Sequence, residues 1–178
     1  MLKLIASTVV VLAALAIGEP AKASSSSALV NVQTGKCLDI LSVSTAPGAI
    51  SQQFDCLGSG NQLWYTEVVS YQSASAIVRF VSVNSGLCLD IASGALGAQV
   101  IQNVCNGVGT QRWVVSAPYA VASLPGYGLI TQISFARAIT NLQTGQCLDA
   151  SEPGSNGGPI QQYTCGSRMN QRWYVNIF

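Results

Sequence analysis

Apolar and polar positions along this chain alternate in short runs instead of recurring at helical spacing. Ala76-Ile77-Val78-Arg79-Phe80-Val81-Ser82-Val83 is rich in β-branched and aromatic residues, and Trp64-Tyr65-Thr66 and Trp113-Val114-Val115 continue the theme. Turn-forming clusters separate such runs, among them Ala46-Pro47-Gly48 and Glu152-Pro153-Gly154-Ser155-Asn156-Gly157-Gly158-Pro159. Glycine, proline, asparagine and serine at regular intervals between short strands predict an all-β domain. Beyond residue 23 no segment shows a helical repeat of apolar residues.

The strand pattern is itself repeated. Cys-Leu-Asp occurs at Cys37-Leu38-Asp39, Cys88-Leu89-Asp90 and Cys147-Leu148-Asp149. Each occurrence is followed by a second cysteine (Cys56, Cys105, Cys165) and then by Gln-x-Trp, ending at Trp64, Trp113 and Trp173. A period of about fifty to sixty residues marks a repeat architecture, with copies at about 27–67, 76–116 and 134–178. Each copy offers four strands: one before an Asn-x-Gln-Thr-Gly-like turn, one on Cys-Leu-Asp, one before the second cysteine and one on Gln-x-Trp. Twelve strands suffice to close a barrel and remove exposed sheet edges. Trp64 to Cys88 spans 24 positions but Trp113 to Cys147 spans 34, and the surplus within Ser116–Arg137 reads as a longer surface loop.

The first 23 residues stand outside the repeat. Lys3, a fourteen-residue apolar run from Leu4 to Ile17 and the small-x-small site Ala21-Lys22-Ala23 have the layout of a secretory signal peptide. The run is too short for the ~20 apolar residues a membrane-spanning helix needs. Cleavage near Ala23 leaves residues 24–178 as one secreted, extracellular domain, opening on Ser24 to Ser27 as a flexible lead-in. That domain keeps six basic and six acidic residues. So balanced and sparse a charge provides no field for nucleic acid and none for an anionic membrane surface.

All six cysteines fall at repeated positions, separated within each copy by 19, 17 and 18 residues. In an exported chain an even count at regular spacing reads as disulfides. Threefold repetition favours three equivalent local bridges, Cys37–Cys56, Cys88–Cys105 and Cys147–Cys165, each worth about 3 kcal/mol in the chain-entropy model. The chain has no histidine and no Cys-x-x-Cys pair, so neither a zinc site nor a resident cofactor is expected.

Three Cys-Leu-Asp, Cys and Gln-x-Trp units in register resemble the ricin B-type lectin family over nearly all of residues 27–178. The resemblance implies a β-trefoil that binds glycans, galactose-type or xylan-type. The tryptophans are expected to wall the core, with the Gln-x-Trp glutamine bonded to turn backbone. The implied sugar-contact set is the aspartate of Cys-Leu-Asp, a glutamine four places before the second cysteine, an aromatic two places before it, and the Asn-Gln that opens Gln-x-Trp. The chemistry suits a pyranose: carboxylate and amides for hydroxyls, an aromatic face for the C–H surface. The first copy holds the full set as Asp39, Gln52, Phe54, Asn61 and Gln62, and the third as Asp149, Gln161, Tyr163, Asn170 and Gln171. The second keeps Asp90 and Gln111 but has Ile101, Asn103 and Thr110 at the remaining positions, so it is expected to bind sugar poorly.

Other functions fit less well. Without histidine there is no Ser-His-Asp, Cys-His or His-metal site, and Asp149 with Glu152 is the one close carboxylate pair for glycosidase chemistry, so no independent catalysis is expected. A protease inhibitor acting through the Ser116–Arg137 loop would leave the duplicated polar-aromatic set without a purpose. Service as the targeting subunit of a separate toxin or hydrolase would keep the lectin chemistry unchanged. The chain has no Asn-x-Ser/Thr acceptor.

Overall fold

The computed structural model describes residues 25–121, 134–151 and 154–175. The expected signal peptide, Glu152 and residues 122–133 of the expected long loop lie outside them. Fifteen strands occur among the described residues, thirteen of them in one nearly closed, barrel-like sheet. The chain is an all-β β-trefoil.

Each copy is organised around one antiparallel pair. Cys37–Ile40 pairs with Ser51–Phe54, Cys88–Ile91 with Val100–Asn103, and Cys147–Ala150 with Gly158–Tyr163. Registers are equivalent, with Asp39 opposite Gln52, Asp90 opposite Ile101 and Asp149 opposite Gln161. A disulfide closes each unit at the three expected pairs. The Gln-x-Trp strands then join neighbouring copies. Leu63–Gln72 pairs with Ser75–Ser82, Trp113–Val115 with Ile139–Asn141, and Trp173–Tyr174 returns to Val30–Asn31. This last pairing ties the end of the chain to its beginning.

Burial is complete along the three Cys-Leu-Asp strands. Ser75–Ser82 buries every second residue, as a strand with one face on the core must. The three tryptophans are fully buried beside Phe80, Leu38, Leu89 and Leu148. Each indole N–H donates to the leucine carbonyl of its own Cys-Leu-Asp: Trp64 to Leu38 (3.4 Å), Trp113 to Leu89 (3.1 Å) and Trp173 to Leu148 (2.9 Å). Gln-x-Trp thus satisfies the core and locks the strand that carries the aspartate.

Two regions differ from expectation. Ser26–Ala28 is a strand and not a flexible lead-in, pairing antiparallel with Leu63–Tyr65. Its serines suit this position because an edge strand gains from backbone hydrogen bonds while its side chains stay largely in water. The Ser116–Arg137 loop begins and ends as a β-ribbon, Tyr119–Val121 against Ser134–Ala136. Arg137 anchors its base by exchanging backbone hydrogen bonds with Trp173, at 2.9 Å each.

Candidate functional site

In the first and third copies the aspartate lies at the floor of a surface cavity. Asp39 is only 4% exposed, and its carboxylate accepts from three amides. Gln52 Nε2 donates to Oδ1 at 2.9 Å, while Asn61 Nδ2 and Gln62 Nε2 donate to Oδ2 at 2.8 and 2.9 Å. Asp149 repeats the arrangement: Gln161 to Oδ1 at 3.1 Å, and Asn170 and Gln171 to Oδ2 at 2.9 Å each. In both, Oδ2 is filled by two donors. Oδ1 has one and retains acceptor capacity for a ligand hydroxyl.

The aromatic residues stand opposite the first cysteine of the pair, Phe54 across from Cys37 and Tyr163 across from Cys147. Phe54 is half-buried and Tyr163 is exposed, and each lines the cavity over its aspartate. The first cavity measures ≈ 350 Å³ and the third ≈ 650 Å³. All five expected residues therefore converge in each copy.

Gln62 sits behind the carboxylate and does not line the first cavity, whereas its counterpart Gln171 contributes to the wall of the third. Gln62 is fully buried, donating to Asp39 and to the Asp55 carbonyl while Oε1 accepts from the Leu57 and Gly58 amides. Gln111 makes the same contacts in the middle copy, to Asp90, the Val104 carbonyl and the Asn106 amide. The expected bond from this glutamine to turn backbone is thus present three times over. It orients the aspartate in every copy and distinguishes none of them.

The middle copy differs at the carboxylate. Ile101 and Thr110 give Asp90 no amide where Gln52 and Asn61 stand in the first copy, and Oδ1 instead accepts the backbone N–H of Ile91 at 2.8 Å. Asn103, in the aromatic position, turns its own side-chain oxygen to the Val104 amide at 2.9 Å. A polar side chain denied long-range partners satisfies itself locally.

A second set of glutamines escaped the sequence reading. Gln53, Gln102 and Gln162, three places before each second cysteine, are fully buried. Each holds the loop of the preceding copy: Gln102 donates to the Ser44 and Ala46 carbonyls, Gln162 to Ser93 and Ala95, and Gln53 to Ser151. Backbone bonds reinforce the grip, from Gly48 to Gln102, Gly97 to Gln162 and Gly157 to Gln53. These three glycines have φ between 76° and 85°, a region closed to most side chains. The loop that follows each aspartate is therefore held by a glutamine of the next copy. The only prior signal was the recurrence of Gln at one fixed offset, visible once the copies are aligned on their second cysteines.

The first cavity has one further unusual wall. Leu41, Ser42 and Val43 line it, and Ser42 and Val43 adopt φ of 57° and 54°. A β-branched residue in this left-handed region is strained. Asn84 of the middle copy holds the turn by donating to the Val43 carbonyl at 3.0 Å.

Residues 17–103 match a family model described as ricin-type beta-trefoil lectin domain-like. Over that stretch the sequence is similar to ricin-type β-trefoil lectin domains. Among solved structures, the designed threefold symmetric protein ThreeFoil is 27% identical, with a TM-score of 0.68 over 85% of this chain and 99% of that protein. The exo-β-1,3-galactanase 1,3Gal43A of Clostridium thermocellum is 30% identical with a TM-score of 0.66 over 82% of this chain. The chain spans only 28% of that galactanase. The ricin B-like lectin of Macrolepiota procera, solved in complex with lactose, shares the fold at 16% identity, with a TM-score of 0.60 over 89% of this chain and 99% of that lectin. No curated protein matches the sequence.

The remaining described carboxylates of the chain are engaged. Asp55 pairs with Lys36 at 2.6 Å, and Glu67 pairs with Arg79. Hydrogen bonds from Lys36 and Asn156 hold Asp55 below its ordinary pKa. Among the described residues no helix is long and apolar enough to cross a membrane, and no cluster of acidic and cysteine side chains is arranged to hold a metal ion.

Proposed function

We propose that this protein is a secreted, non-enzymatic lectin that binds glycans through its first and third copies. The observation that carries the reading is the duplicated floor: a buried carboxylate oriented by three amides, with one oxygen still able to accept, beneath an aromatic side chain. Two neighbouring sugar hydroxyls suit that carboxylate and its amide neighbours, and the ring's C–H face suits Phe54 or Tyr163. Galactose-type or xylan-type glycans are the ligands we assign, in keeping with the lactose-bound lectin and the galactanase that share the fold. Three disulfides fit an oxidising, extracellular setting.

Single shallow sites bind sugars weakly, so two on one rigid body gain from linkage. Engaging two arms of a glycan raises avidity by about 10²–10⁴. Agglutination of erythrocytes, or retention on galactose or xylan resin with release by free sugar, tests the proposal. A glycan array that stayed blank at high protein density would sink it.

A further inference from the structure

The first and third cavities share a floor and differ at the rim, and one position accounts for much of the difference. Between the second cysteine and Gln-x-Trp the first copy places Ser59 where the third places Arg168. Ser59 Oγ donates to Asn61 Oδ1 at 2.7 Å, which closes off that acceptor internally. Arg168 supplies no such hydroxyl, and Asn170 Oδ1 is buried without a hydrogen-bond partner. The same exchange puts an exposed guanidinium on the cavity wall. Both described ion pairs, Lys36–Asp55 and Arg79–Glu67, lie elsewhere.

The surroundings strengthen the contrast. The first rim is apolar, built from Leu41, Val43 and Leu57. The third has Ser151, Ser167 and Arg168. The one carboxylate in the described wall of the third cavity is Asp149, already turned to three amide donors. Arg172 braces the same loop, donating to the Gly166 carbonyl at 2.7 Å.

Resting on the carbohydrate-binding reading, we propose that the third cavity selects sugars carrying an anionic group, a carboxylate or a sulfate, which Arg168 binds while Asp149 takes the hydroxyls. The guanidinium presents a planar fork of donors that matches such oxyanions. The first cavity, with no cation and an apolar rim, takes the neutral sugar. One molecule therefore carries two specificities.

The test isolates each site by removing the other's aromatic platform, Phe54→Ala or Tyr163→Ala, and titrates full-length mature protein with matched galactoside, galacturonoside and sulfated galactoside probes. In the Phe54→Ala background the third site is expected to prefer an anionic probe roughly fivefold over the neutral one, a preference weakened by salt. The carboxylate and sulfate arms distinguish the two sources of charge. Arg168→Ser, which installs the first copy's residue and its hydroxyl donor, should abolish the preference, so that anionic and neutral probes bind alike. Ser59→Arg should create it at the first site in the Tyr163→Ala background. Equal binding of all three probes, or a preference that survives Arg168→Ser, would overturn the inference and leave the lectin reading standing. Failure of every probe at both sites would remove the lectin reading and this inference with it.

Discussion

Asp39 and Asp90 occupy the same register on the same kind of strand, behind the same disulfide and the same buried tryptophan, yet their carboxylates have different surroundings. Asp39 is held by amides from three side chains, whereas Asp90 has one amide and its neighbour's backbone N–H. The fold therefore needs an acceptor at this position for its Gln-x-Trp glutamine, and it obtains one in all three copies. The first and third copies surround the acceptor with further amides and an aromatic residue, and a cavity lies over it in each.

The largest effect expected from breaking this contrast is on avidity. Asp39→Ala with Asp149→Ala should lower retention on sugar resin by 10²-fold or more, since both sites and their linkage are lost. Each change also strands three buried amide donors and should cost about 2–4 kcal/mol in denaturant unfolding. Asp90→Ala strands fewer groups and should cost about 1–2 kcal/mol, with no loss of binding. Equal damage to binding from Asp90→Ala would show that the middle copy is a working site.

Rebuilding sharpens the same comparison. Ile101→Gln, Thr110→Asn and Asn103→Tyr together should draw Asp90 away from the Ile91 amide and add a third site, read as a higher sugar stoichiometry by calorimetry. Asn103→Tyr alone should add none, because the carboxylate would remain turned to the backbone. The partners between copies come next. Gln102→Ala removes a buried glutamine that grips the Ser44–Ala46 loop, and a loss of about 1–3 kcal/mol is expected in denaturant unfolding.

The smallest effects concern the first cavity's borders. Val43→Gly relieves a left-handed conformation at the cost of chain entropy, so stability should change by less than about 1 kcal/mol while first-site binding weakens. Asp55 has a folded pKa below its ordinary 3.8. Its contribution is therefore present above that value and lost as pH falls through the lower, folded one. Asp55→Asn should slightly lower stability at neutral pH and flatten the acid limb of a stability–pH curve, leaving the most acidic region unchanged.

The ten candidate sugar-contact residues were legible through the resemblance to the ricin B-type pattern, which the three copies allowed to be placed copy by copy. Ile101 and Asn103 marked the middle copy as different for the same reason. Gln53, Gln102 and Gln162 were harder to see, since their partners lie in another copy and no local pattern announces a loop that will dock there. The serine-rich Ser26–Ala28 segment misled because composition speaks for solvation, while its pairing with Leu63–Tyr65 is a backbone matter. Val43 gave no signal at all: a valine with φ near 54° is held by its surroundings, including the Asn84 side chain of the next copy.

By itself, the sequence determined the repeat, the all-β class, the three cystine pairs, the buried tryptophans and the two copies that carry the full polar–aromatic set, and its resemblance to the ricin B-type pattern pointed to the trefoil. Those follow from covalent spacing and from which side chains must leave water. Tertiary structure alone decided where each polar group finds its partner: Asp90 at the Ile91 amide, Asn61 at Ser59, and Asn170 with an oxygen left open beside Arg168. A hydrogen bond acts only within about 3 Å and at a favourable angle, so the choice among chemically equivalent partners belongs to the packed backbone.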